Sequence, residues 1–308
     1  MGMKMLRRRI ASIVDWVDGF MGVAVQDVNS GEEIGVAADE LFPMASVCKT
    51  PILVDAYRRV DSGSLALTKR IEITRETRVP GSGLLNFLDE GLQPTLRDLL
   101  LLMITVSDNA ATDLILNEIQ GPESVTATMR ALGLPTIRLD RTIQQLLSEV
   151  HFAIDPMVQG LDFFELEALF ETNEELAGVF RDSDRVLAGI RVAAHTKDVA
   201  SPRDLARLYG LIARHECASS GSCEAILKTL ERQLLRGRLP RNLPPHTRCC
   251  HKTGTLGNGN VCNDAGLMFV GDRPISVAIL SKDVKQDPAA TNTAIARIGR
   301  IVYDHFRD

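Results

Sequence analysis

The chain has 308 residues, a formal net charge of −5 at pH 7, and 45% hydrophobic and 24% charged residues. This balance is typical of a folded protein with a sizeable core. The acidic charge and the few aromatic residues, one Trp, three Tyr and ten Phe, argue against a nucleic-acid partner. No apolar stretch reaches the length of a membrane span, so we do not expect a membrane span either.

The first seventeen residues predict an amphipathic helix. Its apolar residues recur at helical spacing: Leu6, Ile10, Ile13, Val14 and Val17. Three arginines, Arg7 to Arg9, resemble the start of an export signal, but Asp15 interrupts the apolar segment that should follow. We expect a cytoplasmic protein as the sequence is written, and a periplasmic or secreted one if a leader has been removed.

The next elements are a hairpin and a long helical region. Short apolar runs at residues 22–28 and 33–36 flank an Asn-Ser-Gly turn and predict a β-hairpin. A helix is predicted to begin at Ser46. From there to about Asp198 the pattern is helical or loop-like, most clearly over residues 96–117.

The last third of the chain returns to strands after one more helix. Ser201 is suited to cap that helix and Pro202 to its first position, where the missing N–H of a proline has no cost. Three strands and a closing helix are predicted at about residues 249–254, 264–270, 275–280 and 289–305. Because strands lie at both ends of the chain, we expect an α/β (α+β) fold, an antiparallel sheet flanked by helices plus an all-helical lobe.

This arrangement divides the chain into two expected domains. The sheet domain is discontinuous, residues 1–45 and 199–308, and the helical domain comprises residues 46–198. Three chemically suggestive motifs are distributed over both domains: Ser46-Val47-Cys48-Lys49, Ser107-Asp108-Asn109 and Lys252-Thr253-Gly254. A site between the two domains can bring them together.

The first motif places a serine and a lysine three residues apart on one helix face. A serine hydroxyl needs a base within hydrogen-bond reach to act as a nucleophile. Burial and a second cation such as Lys252 can lower the pKa of Lys49 enough for that role. We predict Ser46 as the nucleophile, with its backbone N–H as an oxyanion donor, and Lys49 as the base. An isolated motif of this kind is more often a surface lysine beside a capping serine.

The second motif follows an apolar stretch, so it is expected at a helix junction facing the cleft. Ser107 is predicted to relay a proton to the leaving group. Asn109 is predicted to bind a substrate amide, and Asp108 to orient backbone groups. Read alone, such a tripeptide is usually only a helix cap.

The third motif ends a predicted strand, where Gly254 lets a ligand approach the backbone. Lys252 and Thr253 are predicted to bind a substrate carboxylate, together with Arg238 from a nearby basic cluster. The N–H of Thr255 is predicted to be the second oxyanion donor.

The six cysteines match neither a disulfide framework nor zinc-ligand spacing, so no metal and no cofactor are expected. Four of them are expected to be buried: Cys48, Cys249, Cys250 and Cys262. Cys217 and Cys223 flank a Ser-Ser-Gly run and can close a small loop in an oxidising compartment.

The three motifs, in this order, resemble those of class A β-lactamases and penicillin-binding proteins. Residues 95–111 and the Phe-Pro-Met approach to Ser46 carry the resemblance most strongly, and it extends over nearly the whole chain. It implies a sheet domain beside a helical domain, and a serine that attacks the carbonyl of a β-lactam. We expect a small-molecule β-lactam or peptide-like substrate, and a monomer or homodimer.

The sequence departs from the family at the omega loop. In the family this loop carries the glutamate that activates water for hydrolysis of the acyl-enzyme. An Arg-Leu-Asp-Arg string ending at Arg141 resembles the entry to this loop and Asp198 its exit, so a salt bridge between these two is expected to close the neck. Ile143 stands where the family has glutamate, and Leu147 where it has asparagine. The loop, residues 142–197, is much longer than in the family.

The enlarged loop is rich in phenylalanine and in acids, unlike a disordered linker. We expect helices that lie over the cleft or form a dimer contact, with residues 163–170 at helical spacing. Glu149 is the acid closest in sequence to the missing base and is the candidate to replace it.

The sequence therefore predicts a serine hydrolase that is acylated at Ser46 and deacylated slowly, because losing a general base commonly forfeits about 10²- to 10⁴-fold in rate. The enzymatic alternatives are a penicillin-binding or peptidase-like acyltransferase and an esterase. The non-enzymatic alternative is a β-lactam sensor or binding protein, which is acylated without turnover.

Overall fold

Strands from both ends of the chain form one antiparallel sheet in the computed structural model, which describes residues 2–307. The strands are β1 (Phe20–Asp27), β2 (Glu33–Val36), β3 (Phe42–Pro43), β4 (Val199–Ala200), β5 (Cys249–Leu256), β6 (Val261–Val270) and β7 (Arg273–Lys282). Five of them form the sheet in the order β2-β1-β7-β6-β5, and β3 pairs with β4 separately. The predicted pairing of the chain ends is confirmed, because β1 lies against β7 over its whole length.

Helices cover both faces of the sheet and form the middle of the chain. They are α1 (Met3–Val14), α2 (Lys49–Asp61), α3 (Leu96–Thr105), α4 (Asn109–Glu118), α5 (Pro122–Ala131), α6 (Ile143–Ile154), α7 (Phe163–Thr172), α8 (Glu174–Arg181), α9 (Ser183–Ala194), α10 (Pro202–Ala213), α11 (Ser220–Glu231) and α12 (Pro288–Arg307). None of the described helices combines the length and the apolar character required to cross a bilayer.

Neighbouring residues of β7 belong to two different apolar clusters, one on each face of the sheet. Val277 faces the cluster that includes Leu6 of α1 and Ile298 of α12, whereas Ala278 faces the cluster that includes Leu205 of α10. This alternation follows from the two-residue period of a strand. The terminal helices therefore cover one face of the sheet, and the other face packs towards the helical part of the chain.

Local sequence signals located several helix ends correctly. Ser201 accepts a hydrogen bond from the N–H of Asp204 at 3.2 Å, so the predicted cap of α10 is confirmed. The junction expected at the second motif also occurs, since α3 ends at Thr105 and α4 begins at Asn109. The helix predicted to begin at Ser46 differs, because a 3₁₀ turn over Ala45–Cys48 precedes α2.

The enlarged loop, residues 142–197, folds into the four helices α6 to α9. The helix expected over residues 163–170 is α7. Helices α6 and α9 pack together, and their apolar residues join Ala45 and Leu256 in one cluster. Helices α7 and α8 have a small separate cluster around Leu166 and Leu176. This segment is therefore ordered by apolar burial, as its phenylalanine content indicates.

The expected salt bridge at the neck of the loop is confirmed. The side chain of Arg141 is only 4% exposed, and its Nε donates to Asp198 Oδ2 at 2.6 Å. The same guanidinium donates to the carbonyl of Ala193 at 2.8 Å and to Glu149. Burial raises the pKa of Asp198, so the charged carboxylate depends on the neighbouring arginine.

The predicted domain boundary is not marked by a break in packing. One apolar cluster contains Phe42 and Leu205 from the expected sheet domain together with Leu99 and Ile115 from the expected helical domain. The division into residues 1–45 with 199–308 and residues 46–198 stays a prediction.

The cysteines are all buried and free. The sulfurs of Cys217 and Cys223 lie 3.6 Å apart without a covalent bond, so the small loop between them is not closed by a disulfide in this structure.

We predict that Arg141→Ala lowers the free energy of unfolding by about 3 kcal/mol or more, because removing one partner of a buried ion pair leaves the other charge uncompensated. Urea denaturation measures this change. The control is Arg181→Ala, which removes a pair whose side chains are 66% and 82% exposed, and it should leave the unfolding midpoint unchanged. Equal effects of the two substitutions would contradict the role given to Arg141.

Candidate active site

Ser46 lies one helical turn before Lys49, at the edge of a cleft. The preceding residue, Ala45, has a φ of +46°, a left-handed conformation that costs a non-glycine residue about 1–3 kcal/mol. The chain therefore turns sharply into the 3₁₀ segment that carries Ser46. Ser46 is half-buried and lines a cleft of about 250 Å³.

The cleft is lined by both polar and apolar side chains. Six of the lining side chains carry a hydroxyl or an amide: Ser46, Ser82, Ser107, Asn109, Thr253 and Thr255. Apolar side chains line the rest, chiefly Ile143, Leu146, Leu147, Leu235 and Leu256. All three motifs thus contribute residues to one cavity, although they are far apart in the sequence.

Lys49 is fully buried beside the second motif. Its Nζ donates to the Ser107 carbonyl at 2.6 Å, to Asn109 Oδ1 at 2.8 Å and to Ser107 Oγ at 3.2 Å. Burial lowers the pKa of Lys49 from 10.5 to about 8, while the charge of Asp108 opposes this shift. An appreciable fraction of the amine is therefore neutral near physiological pH and able to accept a proton.

Ser107 lies between two lysines. It has a φ of +59°, and its Oγ receives hydrogen bonds from Lys49 Nζ at 3.2 Å and from Lys252 Nζ at 3.1 Å. Lys252 is also fully buried, and its Nζ donates to the Thr253 carbonyl at 2.7 Å. Burial and the neighbouring Lys49 lower the pKa of Lys252 well below its ordinary value. The Ser107 hydroxyl is consequently connected to two amines that can exchange protons with it.

The rest of the second motif fixes the backbone. Asp108 caps α4 by accepting the N–H of Ala111 at 2.9 Å, and it also accepts the N–H groups of Leu84 and Leu85. Its expected role in orienting backbone groups is confirmed. Asn109 lines the cleft, with its Oδ1 bound to Lys49 and its Nδ2 donating to the Pro80 carbonyl at 2.8 Å.

Gly254 allows β5 to approach Ser46 closely. A Cβ at this position would lie 2.8 Å from the Met44 carbonyl oxygen and 3.1 Å from the Ser46 nitrogen. The first distance is shorter than Cβ atoms tolerate and the second is tighter than most Cβ contacts, and the first neighbour is backbone, so glycine is required here. The edge of β5 therefore lies directly against the start of the 3₁₀ turn that carries Ser46.

The backbone N–H of Thr255 points to the open edge of the sheet. Its register partner on β6 is Cys262, which directs its own N–H and C=O to the Ser281 hydroxyl at 2.8 and 2.7 Å, on the side of β7. In an antiparallel ladder Thr255 must then turn its N–H away from β6. Both predicted oxyanion donors, Ser46 and Thr255, thus belong to residues that line the cleft.

Arg238 holds the strand edge and is not among the described residues that line the cleft. Its Nη1 donates to the Gly254 carbonyl at 2.7 Å, and its Nη2 donates to Thr255 Oγ1 at 2.6 Å. Its Nε donates to Asn292 at 2.7 Å. Since every nitrogen of the guanidinium already has a protein acceptor, the geometry assigns it to positioning Gly254 and Thr255.

Glu149 lies outside the cleft. Its carboxylate accepts hydrogen bonds from Arg141 and from Lys197, the latter at 2.9 Å, and its side chain is 44% exposed. Ile143 and Leu147 line the cleft instead. Among the described residues that line the cleft there is no carboxylate.

Two residues at the site were missed in the sequence. Asp113 accepts the N–H groups of Ile143 and Gln144 at 2.7 and 2.8 Å, which fixes the start of α6. Loss of contact with water raises the pKa of Asp113 to about 6. Its position four residues after Asn109, on the same helix face, was the available signal. Ser82, which donates to the Ser107 carbonyl at 2.7 Å, had no signal of its own.

Comparisons with known proteins give a consistent result. The model of the β-lactamase enzyme family matches residues 5–306. A β-lactamase of Streptomyces albus G is 28% identical over 302 residues, covering 96% of this chain and 82% of the relative. The crystal structure of a β-lactamase from Sphaerobacter thermophilus is 27% identical, with a TM-score of 0.76 and coverage of 98% and 96% of the two chains. An ancestral class A β-lactamase is 26% identical, with a TM-score of 0.77 and coverage of 98% and 100%.

These matches extend over both the sheet and the helical part of the chain, and they confirm the fold that the motifs indicated. Helices and an antiparallel sheet are arranged as in the solved relatives. The chain therefore belongs to the β-lactamase enzyme family and is a hydrolytic enzyme of the serine type.

Proposed function

We propose that this protein is acylated at Ser46 by β-lactams or related amides and esters, and that it releases the acyl group slowly. The observation that supports this proposal is the composition of the cleft, which Ser46 and Ser107 line together with Ile143 and Leu147, with no carboxylate among the described lining residues. The relatives named β-lactamases support the substrate class.

Acylation begins with the Ser46 hydroxyl. As its Oγ attacks the carbonyl carbon of the substrate, the neutral amine of Lys49 takes the hydroxyl proton. The N–H groups of Ser46 and Thr255 stabilise the negative charge on the carbonyl oxygen. The Ser107 hydroxyl then gives its proton to the leaving nitrogen and is reprotonated from the lysines that it contacts. The products are an ester on Ser46 and an amine, which stays attached to the acyl group when the substrate is a β-lactam.

Substrate orientation depends on the edge of β5. Thr253 lines the cleft, and the amine of Lys252 lies directly behind it. A substrate carboxylate near Thr253 favours the charged form of Lys252, because an opposite charge stabilises an ammonium group. Arg238 acts indirectly, by holding the carbonyl of Gly254 and the hydroxyl of Thr255.

Deacylation requires a base that activates water beside the Ser46 ester. Ile143 and Leu147 present only apolar groups, and Asp113 is occupied by the N–H groups that begin α6. Glu149 is bound by Arg141 and Lys197. Without a general base, hydrolysis is expected to be slower by about 10²- to 10⁴-fold.

The same apolar cleft favours a second candidate, a penicillin-binding or peptidase-like acyltransferase. An ester that is protected from activated water persists long enough to react with an amine. The natural reaction is then transfer of an acyl group rather than hydrolysis. A sensor or binding protein, by contrast, retains the adduct whether or not an amine is present.

The first prediction about the reaction concerns the adduct. After incubation with benzylpenicillin, the intact mass should increase by the mass of one penicillin, and the adduct should remain for minutes to hours after the excess is removed. Ser46→Ala should show no increase. Loss of the adduct within seconds would contradict slow deacylation, and no adduct on the native chain would contradict acylation. Faster loss on addition of an amino acid would identify the acyltransferase.

The second prediction concerns the position of Ile143. Ile143→Glu places a carboxylate in the cleft and should accelerate loss of the benzylpenicillin adduct by about tenfold or more, because it supplies a general base. Ile143→Gln is the matched control, since it has the same size and no basic carboxylate, and its adduct should persist. If both variants lose the adduct equally fast, the missing base is not the cause.

The third prediction concerns pH. Because the pKa of Lys49 is lowered to about 8 and the neutral amine is the reactive form, the second-order rate constant of acylation should rise about tenfold per pH unit below 8 and level off above it. Stopped-flow measurements with a chromogenic cephalosporin between pH 6 and 9 test this. Lys49→Arg retains a positive charge but has no accessible neutral form, so its rate should fall by about 10²-fold or more. A flat profile for the native chain would exclude Lys49 as the base.

A further inference from the structure

Five exposed apolar side chains lie on two short segments that adjoin residues of the active-site cleft in the sequence. They are Leu84, Phe87, Leu88, Leu234 and Leu235, with exposed fractions of 49%, 72%, 44%, 68% and 49%. We call these five residues the apolar rim. They lie on two short segments, before α3 and after α11, and groups of exposed apolar residues commonly mark binding surfaces.

The first segment of the rim is fixed to the second motif. The N–H groups of Leu84 and Leu85 donate to Asp108 Oδ2 at 2.7 and 3.0 Å, and the side chain of Leu85 is fully buried. Gly83 has a φ of +135°, and a Cβ there would lie 2.5 Å from the Asp108 carboxyl carbon. The backbone at Gly83 and Leu84 therefore lies directly against Asp108, while the side chain of Leu84 is exposed.

The second segment of the rim is held by the end of α3, just before the second motif. Leu234 donates its N–H to the Thr105 carbonyl at 3.1 Å, and the buried Gln233 donates to the Ile104 carbonyl at 2.7 Å. Gln233 also accepts the N–H of Leu235 at 2.9 Å. Leu235 belongs to the rim and also lines the cleft itself.

Both segments are therefore anchored to residues 104–108, the stretch that contains Ser107. Leu235 lines the cleft together with Leu146 and Leu147, and Gly81 and Ser82, which precede the first segment of the rim, line it as well. Because both segments are thus joined to the cleft, the occupant of the rim is expected to be part of the molecule that acylates Ser46.

We propose that the apolar rim binds a long apolar acyl group of the substrate, so that the enzyme prefers substrates in which this group extends beyond the cleft. The proposal rests on the acylation of Ser46 described above. Because the rim is held in place by backbone hydrogen bonds, binding orders few additional groups, and most of the apolar area that is buried contributes to affinity.

The test uses two penicillins that share the bicyclic nucleus and carboxylate and differ only in the acyl chain, 6-acetamidopenicillanate and 6-octanamidopenicillanate. The second-order rate constant of adduct formation is measured by intact mass. We expect the octanoyl compound to react about tenfold faster or more, which is the discrimination that a few methylenes give in an apolar site. In the double variant Phe87→Ser, Leu234→Ser the ratio should fall towards one, while the acetyl compound reacts at the native rate.

The matched control is Trp16→Ser, which removes an 83% exposed aromatic side chain from the segment after α1, and it should leave the ratio unchanged. An unchanged ratio in the double variant, or equal rates for the two compounds on the native chain, would overturn the role of the rim while leaving acylation intact. If neither compound forms an adduct, the proposed function itself fails. The rate with the acetyl compound also reports that the double variant is folded.

Discussion

Two buried amines that share one hydroxyl are the interaction on which the active site depends. Lys49 and Lys252 are both fully buried and both donate to Ser107 Oγ, at 3.2 and 3.1 Å. Burial lowers the pKa of both amines, and the neighbouring Lys49 lowers that of Lys252 further, so an appreciable fraction of neutral amine is present at physiological pH. A lysine becomes a usable base here because of its surroundings. The acylation chemistry, its pH dependence and the proton relay all follow from this constraint.

The backbone brings these groups together at a cost in strain. Ala45 and Ser107 both have a left-handed φ, at +46° and +59°, and Gly254 removes the side chain that would separate β5 from Ser46. Strained residues of this kind persist only where the surrounding packing determines their conformation. The turn at Ala45, the junction at Ser107 and strand β5 at Gly254 therefore hold the site in place together. The apolar residues of α6 that line the cleft are positioned by hydrogen bonds, which Asp113 accepts at the start of that helix.

Much of the fold and the location of the site could be predicted from the sequence, because these features depend on local patterns and motifs. The cap at Ser201 follows from a local signal, and the pairing of β1 with β7 follows from the order of the predicted elements along the chain. The Arg141–Asp198 pair was implied by the family resemblance. Most other side-chain contacts between residues distant in sequence had no signal. Arg238 is held by Asn292, 54 residues away, and Asp113 by Ile143, 30 residues away. Glu149 was the nearest acid in sequence, yet its helix turns it towards Arg141.

Lys49 can act as the base only if its pKa is lowered enough for part of the amine to be neutral in the resting enzyme, and this can be measured by titrating that one amine. NMR of the enzyme labelled with ¹³C at the lysine ε-carbons follows each lysine, and the spectrum of Lys49→Arg assigns the signal of Lys49. Lys49 should titrate with a midpoint near pH 8, well below that of exposed lysines, which titrate near 10.4. A signal from Lys49 that titrates together with the exposed lysines would contradict it.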